Sequence, residues 1–282
     1  MSNIAIVTDS VACLSAEQIK KYNILVAPVQ ITWDRITYRD GITIMPKEFY
    51  TRLVTSKTLP TTSSAIQGEF MQLYQSLKGK VDGVVTLVLT GALGACLDSA
   101  KNAREIVGGK NIEIVDTRTA MAAQAFIVLQ AARVSDAGGS MDEIIAAAKS
   151  AIPKTGVFWA MNTLEYLRKG GRISLPQALM ASWLHVKPIV GLKDGKVEPL
   201  AKSISKAKAI QRVLEILEER TGDYQGNLHL AVLHGNAPEE AEKLEKMIRE
   251  RFKFCELLRS EITPVIGTHT GPGTLGIAYY KE

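Results

Sequence analysis

Apolar and polar positions in the first half of the chain predict strands and helices in turn. Continuous apolar runs predict four strands, at Ile4–Val7, Ile24–Ile31, Val84–Leu89 and Ile112–Val115. Apolar residues at helical spacing predict four helices, at Glu48–Leu53, Phe70–Leu77, Ser99–Val107 and Thr119–Val134. Strands that are apolar throughout are typical of a sheet covered on both faces. The fold class is therefore predicted to be α/β, with a mostly parallel, doubly wound sheet in this half.

The second half reads as another α/β domain. A polar, glycine-containing break at residues 136–140 and the proline at position 153 flank a predicted helix, Met141–Ala151, so we place the boundary between domains 1–152 and 153–282. A hairpin is predicted where Lys193-Asp194-Gly195-Lys196 separates two apolar runs. The other predicted elements are strands Gly156–Met161 and Leu228–Leu233, helices Lys206–Arg220 and Pro238–Arg251, and terminal strands. This order favours a mixed or antiparallel sheet.

Composition indicates a globular protein without export or membrane signals. The 282 residues are 46% apolar and 22% charged, which is enough for two moderate cores. The chain opens on a strand pattern rather than a signal peptide, and no apolar run is long enough for a transmembrane segment. Cys13, Cys96 and Cys255 are widely spaced and form no CxxC pair, which argues against a disulfide framework and a zinc site. A cytoplasmic location is expected.

The net charge of +5 is unevenly distributed along the chain. Residues 153–212 contain 11 Lys and Arg against 3 Asp and Glu, and the remainder is slightly acidic. Such a segment indicates either an anionic partner or a solvated basic face. No aromatic stripe accompanies it, so nucleic acid is not an expected partner.

A junction of helix, two glycines and arginine is the most informative motif. The stretch Leu164–Lys169 has helical spacing and is followed by Gly170, Gly171 and Arg172. A glycine in the left-handed conformation commonly ends a helix, and a second glycine permits close approach of backbone or ligand. A guanidinium presented in this way suits a carboxylate or a phosphate. The alternative is an exposed turn with an ordinary surface arginine.

Two further motifs carry polar groups. The hydroxyls of Thr62 and Ser63 are predicted either to cap the helix that begins near residues 68–70 or to donate hydrogen bonds to an anion near its N-terminus. His269 stands in a predicted hydroxyl-rich turn, where it could orient a carboxylate or act as an acid or base. The GxGxxG pattern that begins at Gly271 is not a dinucleotide fingerprint, because no helix can follow it before the chain ends.

Asp9 supports a different interpretation. It stands with Ser10 at the carboxyl end of the first predicted strand, where open α/β sheets place ligands and catalytic groups. One hypothesis is therefore an enzyme that acts on a small anionic substrate with Asp9 and His269. The other is that Asp9 and Ser10 cap the following turn. Neither a nucleophile elbow nor a metal-ligand spacing accompanies them, so no catalytic metal is predicted.

Five motifs taken together resemble the DegV family of bacterial fatty-acid-binding proteins. They are Thr8-Asp9-Ser10, Leu59-Pro60-Thr61-Thr62-Ser63, Val115-Asp116-Thr117, Leu164–Ser174 and residues 266–273. The resemblance spans nearly the whole chain. It implies two α/β domains with a long-chain fatty acid at their junction, no other cofactor, and a non-catalytic role. Some members of the family carry the acyl group for a bacterial fatty acid kinase, which implies an ATP-dependent kinase subunit as a partner.

The resemblance also implies site residues. The Thr-Ser element corresponds to Thr62 and Ser63, the Gly-Gly-Arg element to Arg172, and the last turn to His269. These four are expected to bind the carboxylate, since a carboxylate removed from water needs several donors. The apolar tail is expected in a tunnel.

The chain departs from the family pattern at three places. Ser64-Ala65 stands where Gln-Pro is usual, and Gly94 replaces a serine that would approach the head group. The backbone N–H groups of Gly94 and Ala95, or the hydroxyl of Thr90, are expected to substitute for it. Near Ile204 an arginine common in the family is replaced, which bears on the kinase partnership.

Overall fold

Three sheets organise the chain. The computed structural model describes residues 3–63, 66–173, 182–183 and 185–282. Ser64, Ala65 and Ser174, which belong to motifs named above, lie outside the described residues. Two large sheets correspond to the two halves of the chain, and a small third sheet lies beside a short helix from the second half.

The strands within the described ranges are β1 Ile4–Asp9, β2 Leu25–Ala27, β3 Gln30–Trp33, β4 Ile36–Arg39, β5 Thr61–Ser63, β6 Gly83–Val88, β7 Ile112–Asp116, β8 Thr155–Ala160, β9 Lys187–Lys193, β10 Lys196–Ser203, β11 Leu228–His234, β12 Glu256–Glu261 and β13 Leu275–Lys281. The α-helices there are α1 Ala16–Lys21, α2 Pro46–Thr55, α3 Gln67–Leu77, α4 Cys96–Val107, α5 Met121–Asp136, α6 Met141–Ala151, α7 Glu165–Lys169, α8 Lys206–Thr221, α9 Pro238–Arg251 and α10 Pro264–Thr270.

The first large sheet is parallel, which confirms the predicted fold class for this half. Its strand order is β2-β1-β6-β7, and every pairing is parallel. Helices α3 and α4 pack against each other, as do α5 and α6. The single strand predicted over Ile24–Ile31 was wrong, because the chain forms β2 and β3 on either side of Pro28. Proline has no N–H to donate to a ladder, so β2 ends just before it and β3 joins another sheet.

The second large sheet is mixed, in the order β10-β9-β8-β13-β11-β12. The predicted hairpin is confirmed as β9 and β10, which pair antiparallel. Only β11 and β12 run parallel to each other, and helix α9 connects them. The chain enters this sheet at Thr155, close to the boundary predicted at residue 153.

Helix α5 lies between the two large sheets. It contacts β1 of the first and β8 and β13 of the second, and most of its side chains are buried. Its alanines allow this close packing on both sides. The largest apolar cluster accordingly includes Phe126 of α5, Phe49 from the first half and Trp159 from the second. The division into domains 1–152 and 153–282 stays a prediction, since this core is continuous across it.

The small antiparallel sheet β4-β3-β5 holds helix α10 in place. The side chain of Asp40, which follows β4, is 2% exposed, and its Oδ1 accepts a hydrogen bond from the N–H of Val265 in the first turn of α10 at 3.1 Å. The N-cap residue Thr263 makes no side-chain capping bond of its own. A distant carboxylate therefore caps this helix and complements its dipole. Tyr50 of α2 strengthens the junction by donating its hydroxyl to the carbonyl of Ile262 at 3.2 Å.

Asp40 makes the stability of the protein depend on pH. Burial raises the pKa of Asp40 from its ordinary value of 3.8 to about 7, although the Ser10 and Thr263 hydroxyls and the Val265 amide oppose the shift. The unfolded chain loses this proton near 3.8 and the native protein near 7, so stability falls as pH rises through that window. The decline is on the order of 4 kcal/mol, since ~1.4 kcal/mol accompanies each tenfold change in acid strength.

Asp40→Asn is expected to remove this part of the decline. The amide oxygen can still accept the Val265 N–H bond, and the side chain no longer ionises. Urea unfolding of both proteins at several pH values measures the effect, with the exposed Asp223→Asn as the control. Parallel stability profiles for Asp40→Asn and the wild type would contradict the assignment.

Candidate functional site

A cavity lies at the junction of the two halves and is lined by the four residues that the resemblance assigns to the carboxylate. Thr62, Ser63, Arg172 and His269 all line it. About 750 Å³ of space lies between the atoms that line the cavity, and this volume includes the part that is open to solvent. Three segments of the chain therefore meet at one place, as the resemblance implied: Arg172 follows Thr62 by 110 positions, and His269 follows Arg172 by 97. Their individual roles as ligand contacts stay predictions.

The turn after α7 aims Arg172. Gly171 has a φ of +69°, the left-handed conformation, and the Arg172 N–H bonds back to the carbonyl of Leu167. The guanidinium then donates through Nε to the Leu93 carbonyl at 3.2 Å and through Nη1 to the Gly170 carbonyl at 2.5 Å. No Asp or Glu of the described ranges forms an ion pair with it. A partly buried cation held by backbone carbonyls is suited to an anion from outside the chain.

His269 lies in the last turn of α10, and the predicted loop around it was wrong. Pro264 occupies the first helical position, where its missing N–H costs nothing. The sequence Val-Ile-Gly-Thr-His-Thr contains weak helix formers, but packing against α2, α7, β3 and β5 stabilises the helix. This placement directs the imidazole across the junction, where Nε2 lies 2.9 Å from the Thr62 hydroxyl of β5.

The imidazole of His269 is neutral at physiological pH. Burial, together with the smaller effect of the Arg172 charge, lowers its pKa to about 4. Its Nδ1 has no hydrogen-bond partner in the described structure and lies against Gly170. A Cβ atom at Gly170 would lie only 2.2 Å from that nitrogen. The two glycines therefore have the two roles that the sequence suggested, in the opposite order: Gly170 allows the close approach and Gly171 takes the left-handed conformation.

The polar residues around these groups were predicted with mixed success. Thr62 and Ser63 lie in strand β5, and the residue before α3, Ile66, makes no capping bond. The helix-capping interpretation was therefore wrong for them, because pairing with β3 fixes their backbone in an extended conformation. Gly94 and Ala95 line the cavity. Thr90 does not line it: its hydroxyl accepts the Ala92 N–H at 3.3 Å.

Apolar side chains form most of the rest of the cavity wall, and no pattern in the sequence marks them. They come from both halves of the chain: Val11, Val29, Leu89, Leu93, Ala120 and Met121 from the first, and Trp159, Leu167, Leu192, Val197, Val265 and Ile266 from the second. Most of them are as buried as ordinary core residues, so periodicity cannot distinguish them. One backbone feature does distinguish a residue of the cavity wall. Met121 has a φ of +56°, a strained conformation of a kind that clusters at functional sites.

Asp9 and His269 are not brought together. Asp9 is fully buried and accepts hydrogen bonds from the amides of Val11 at 3.0 Å and Leu89 at 2.8 Å and from Gln124 Nε2 at 3.1 Å. Burial raises its pKa to about 6. It caps the short 3-10 turn that follows β1, as one interpretation predicted, and borders a different pocket from His269. Asp9 therefore supports the cavity wall through Val11 and Leu89.

Two features are absent from the described ranges. No group of three or more His, Cys, Asp or Glu side chains there could hold a metal ion. No helix there has the length and apolar character to cross a membrane. The three cysteines are unpaired thiols in these ranges, with Cys96 bordering the cavity.

Comparison with known proteins identifies the family. The family model described as "Uncharacterised protein, DegV family" matches residues 3–282. The chain belongs to the DegV family. Protein DegV of Bacillus subtilis is 34% identical over 280 residues, covering 98% of this chain and 99% of its own.

Solved structures of DegV relatives share the fold. A DegV family protein of Thermus thermophilus, described for its fatty acid binding, superposes with a TM-score of 0.92 at 27% identity, covering 99% of this chain and 100% of its own. A stearic-acid-binding protein of Eubacterium ventriosum gives 0.89 at 26% identity, covering 99% and 98%. The architecture of two large sheets and one small sheet is therefore that of the DegV fatty-acid-binding proteins.

Gly170→Ala is expected to displace the imidazole of His269. The backbone at Gly170 has a φ of −75°, which alanine adopts without strain, so the contact with Nδ1 is the main conflict. The pKa of His269 should rise from about 4 toward its ordinary value of 6.5 as the ring leaves its buried place. An NMR titration of the histidine Cε1 protons measures it. Gly68→Ala, which has open space around it, is the control, and an unchanged His269 titration in Gly170→Ala would contradict the prediction.

Proposed function

We propose that this protein binds one long-chain fatty acid non-catalytically, with the carboxylate among Thr62, Ser63, Arg172 and His269 and the tail along the apolar wall. One observation carries the proposal: the same cavity contains a mainly apolar lining and an arginine that has no acidic partner among the described residues. The fatty acid binding described for structural relatives supports the same ligand class.

The electrostatics favour a singly charged head group. His269 is neutral, so the ligand charge would meet one cation, Arg172, and neutral donors around it. The Thr62–His269 pair can supply one hydrogen bond, because the other of its two donor protons lies between Oγ1 and Nε2. The amides of Gly94 and Ala95 can supply others where the family's serine is absent. These donors offset the cost of removing a carboxylate from water.

The tail supplies most of the binding free energy. Each methylene transferred from water contributes about 0.8 kcal/mol, so a long acyl chain binds tightly even where the head group only breaks even. A small polar anion would gain nothing from the apolar walls. This difference is the reason for preferring a fatty acid to a small anionic substrate.

Arg172→Ala is expected to weaken binding of stearate about 10- to 100-fold, through loss of charge-assisted hydrogen bonds. Binding of methyl stearate should change little, because its head group carries no charge. Fluorescence titration with both ligands measures the two affinities, and mass spectrometry of lipid extracted from purified protein identifies the natural ligand. Arg168→Ala, an exposed arginine of α7, is the control.

Two results would contradict the proposal. One is purified protein that contains no acyl chain and gains no thermal stability from added fatty acids. The other is an equal loss of acid and ester affinity in Arg172→Ala, which would move Arg172 away from the carboxylate.

We further propose that the protein acts in the cytoplasm and presents the bound carboxylate to a separate ATP-dependent fatty acid kinase. This proposal rests on the family resemblance. Because an arginine common in the family is replaced near Ile204, the partnership needs its own test in this chain. Ile204 is 74% exposed. Incubation of the loaded protein with a bacterial fatty acid kinase subunit and labelled ATP should yield acyl phosphate. Failure with a kinase from the same genome, active on its own carrier, would overturn the partnership and leave fatty acid binding intact.

A further inference from the structure

The hairpin formed by β9 and β10 projects beyond the sheet that anchors it. The two strands pair with each other along seven register positions, but β9 pairs with β8 only from Ile189 to Gly191. Residues 192–197, which we name the hairpin tip, therefore have no ladder partner outside the hairpin in the described structure. Strand β10 is also the edge of the sheet. The tip depends on contacts with the first half of the chain for its position.

A close contact between backbone and side chain docks the hairpin tip. Gly195 is buried although it occupies the turn, and its φ of +77° follows a φ of +49° at Asp194. A Cβ atom at Gly195 would lie 2.2 Å from the Oγ1 of Thr90 and 3.2 Å from its Cβ. No residue with a side chain fits at this position without moving the tip or Thr90.

An ion pair supports the same docking. Arg118 Nη2 lies 3.0 Å from Asp194 Oδ1, with the two side chains 56% and 76% exposed. Such an exposed pair contributes little on its own. Thr90, for its part, is fixed by the bond from its N–H to the Thr119 carbonyl at 3.1 Å. The hairpin tip thus docks on two neighbouring loops of the first half.

The docked tip borders two spaces. Leu192 and Val197 line the cavity assigned above to the acyl tail. Leu192 also lines a second pocket, together with Asp194, Arg118 and Gly156. One side chain of the hairpin is therefore shared by the inner cavity and an outer pocket. Movement of the tip away from Thr90 would join them.

We infer that the hairpin tip is a movable wall of the cavity, and that undocking it from Thr90 opens the route by which the acyl tail enters and leaves. The inference rests on the proposed fatty acid binding. It assigns functions to Gly195 and Thr90 that involve no contact with the carboxylate. Among the described residues the tip is held by the close contact at Thr90, one exposed ion pair and the partial packing of Leu192 and Val197 against the core. Because it has no ladder partner outside the hairpin there, its local stability is lower than that of the anchored part of β9, as such motion needs.

Gly195→Ala tests the route, because the added methyl group conflicts with Thr90 while the hairpin pairing is kept. The probe is cis-parinaric acid, whose energy transfer from Trp159 in the cavity wall reports release into excess stearate. Its dissociation rate should rise roughly tenfold. Gly79→Ala is the matched control: Gly79 has a φ of +74° and nothing within 4 Å of an added Cβ, so the same backbone strain should leave the rate unchanged.

A double variant separates the contact from the strain. Thr90→Ala removes the Oγ1 atom that the new methyl group would strike, so Thr90→Ala with Gly195→Ala should return the rate toward that of Thr90→Ala alone. Hydrogen exchange of the ligand-free proteins provides a second readout. Amides of residues 192–197 should exchange faster in Gly195→Ala, whereas those of residues 189–191 should not.

The outcomes distinguish this inference from the proposed function. If the wild type binds cis-parinaric acid but its release is unchanged in Gly195→Ala, with the tip exposed to exchange, the tail does not pass this way and fatty acid binding stands. If the tip amides are equally protected in both proteins, the Thr90 contact does not dock the hairpin and the inference fails. A wild type that binds neither cis-parinaric acid nor stearate overturns the route together with the proposed function.

Discussion

The contact between Thr62 and His269 is the interaction on which the candidate site depends. It joins strand β5 of the small sheet to the last turn of helix α10, 207 residues later. Each partner is fixed by other means: pairing with β3 holds Thr62, and Asp40 caps the first turn of α10. Arg172 completes the group, because Gly170, two residues before it, leaves room for the imidazole. The small sheet, helix α10 and the turn after α7 thus meet at the Thr62–His269 contact.

Buried carboxylates create this arrangement at a cost in stability. Asp9 and Asp40 have no lysine or arginine partner among the described residues, and burial raises the pKa of each. They accept backbone N–H groups instead, Asp9 from the loops after β1 and β6 and Asp40 from α10. Those loops and that helix form the cavity wall. Burial of these carboxyl groups is unfavourable, but each of them fixes backbone segments that are not held by β-sheet hydrogen bonds at that point.

Elements with strong local signals were predicted well from the sequence. Helices α6 and α9 have the predicted bounds, because Ser140 forms a capping box and Pro238 occupies the first turn. The hairpin turn was evident from Asp194-Gly195. Helix α10 was missed because its residues are weak helix formers and contacts with α2 and α7 stabilise it. For the same reason the hydroxyl run at 61–63 was mistaken for a cap: its strand exists only through pairing with β3.

The α/β class, the family and the four residues expected at the carboxylate could be read from the sequence, since they follow from local periodicity and from motifs that are short runs of residues. Three features required the three-dimensional structure: where those motifs meet, that a neutral imidazole lies near the arginine, and which apolar residues surround a cavity rather than one another. A cavity is a relation between side chains distant in the chain, and apolar periodicity is the same for residues that line it and residues that fill a core. The docking of Gly195 on Thr90 is of the same kind: the glycine was visible as a turn, and its neighbour was not.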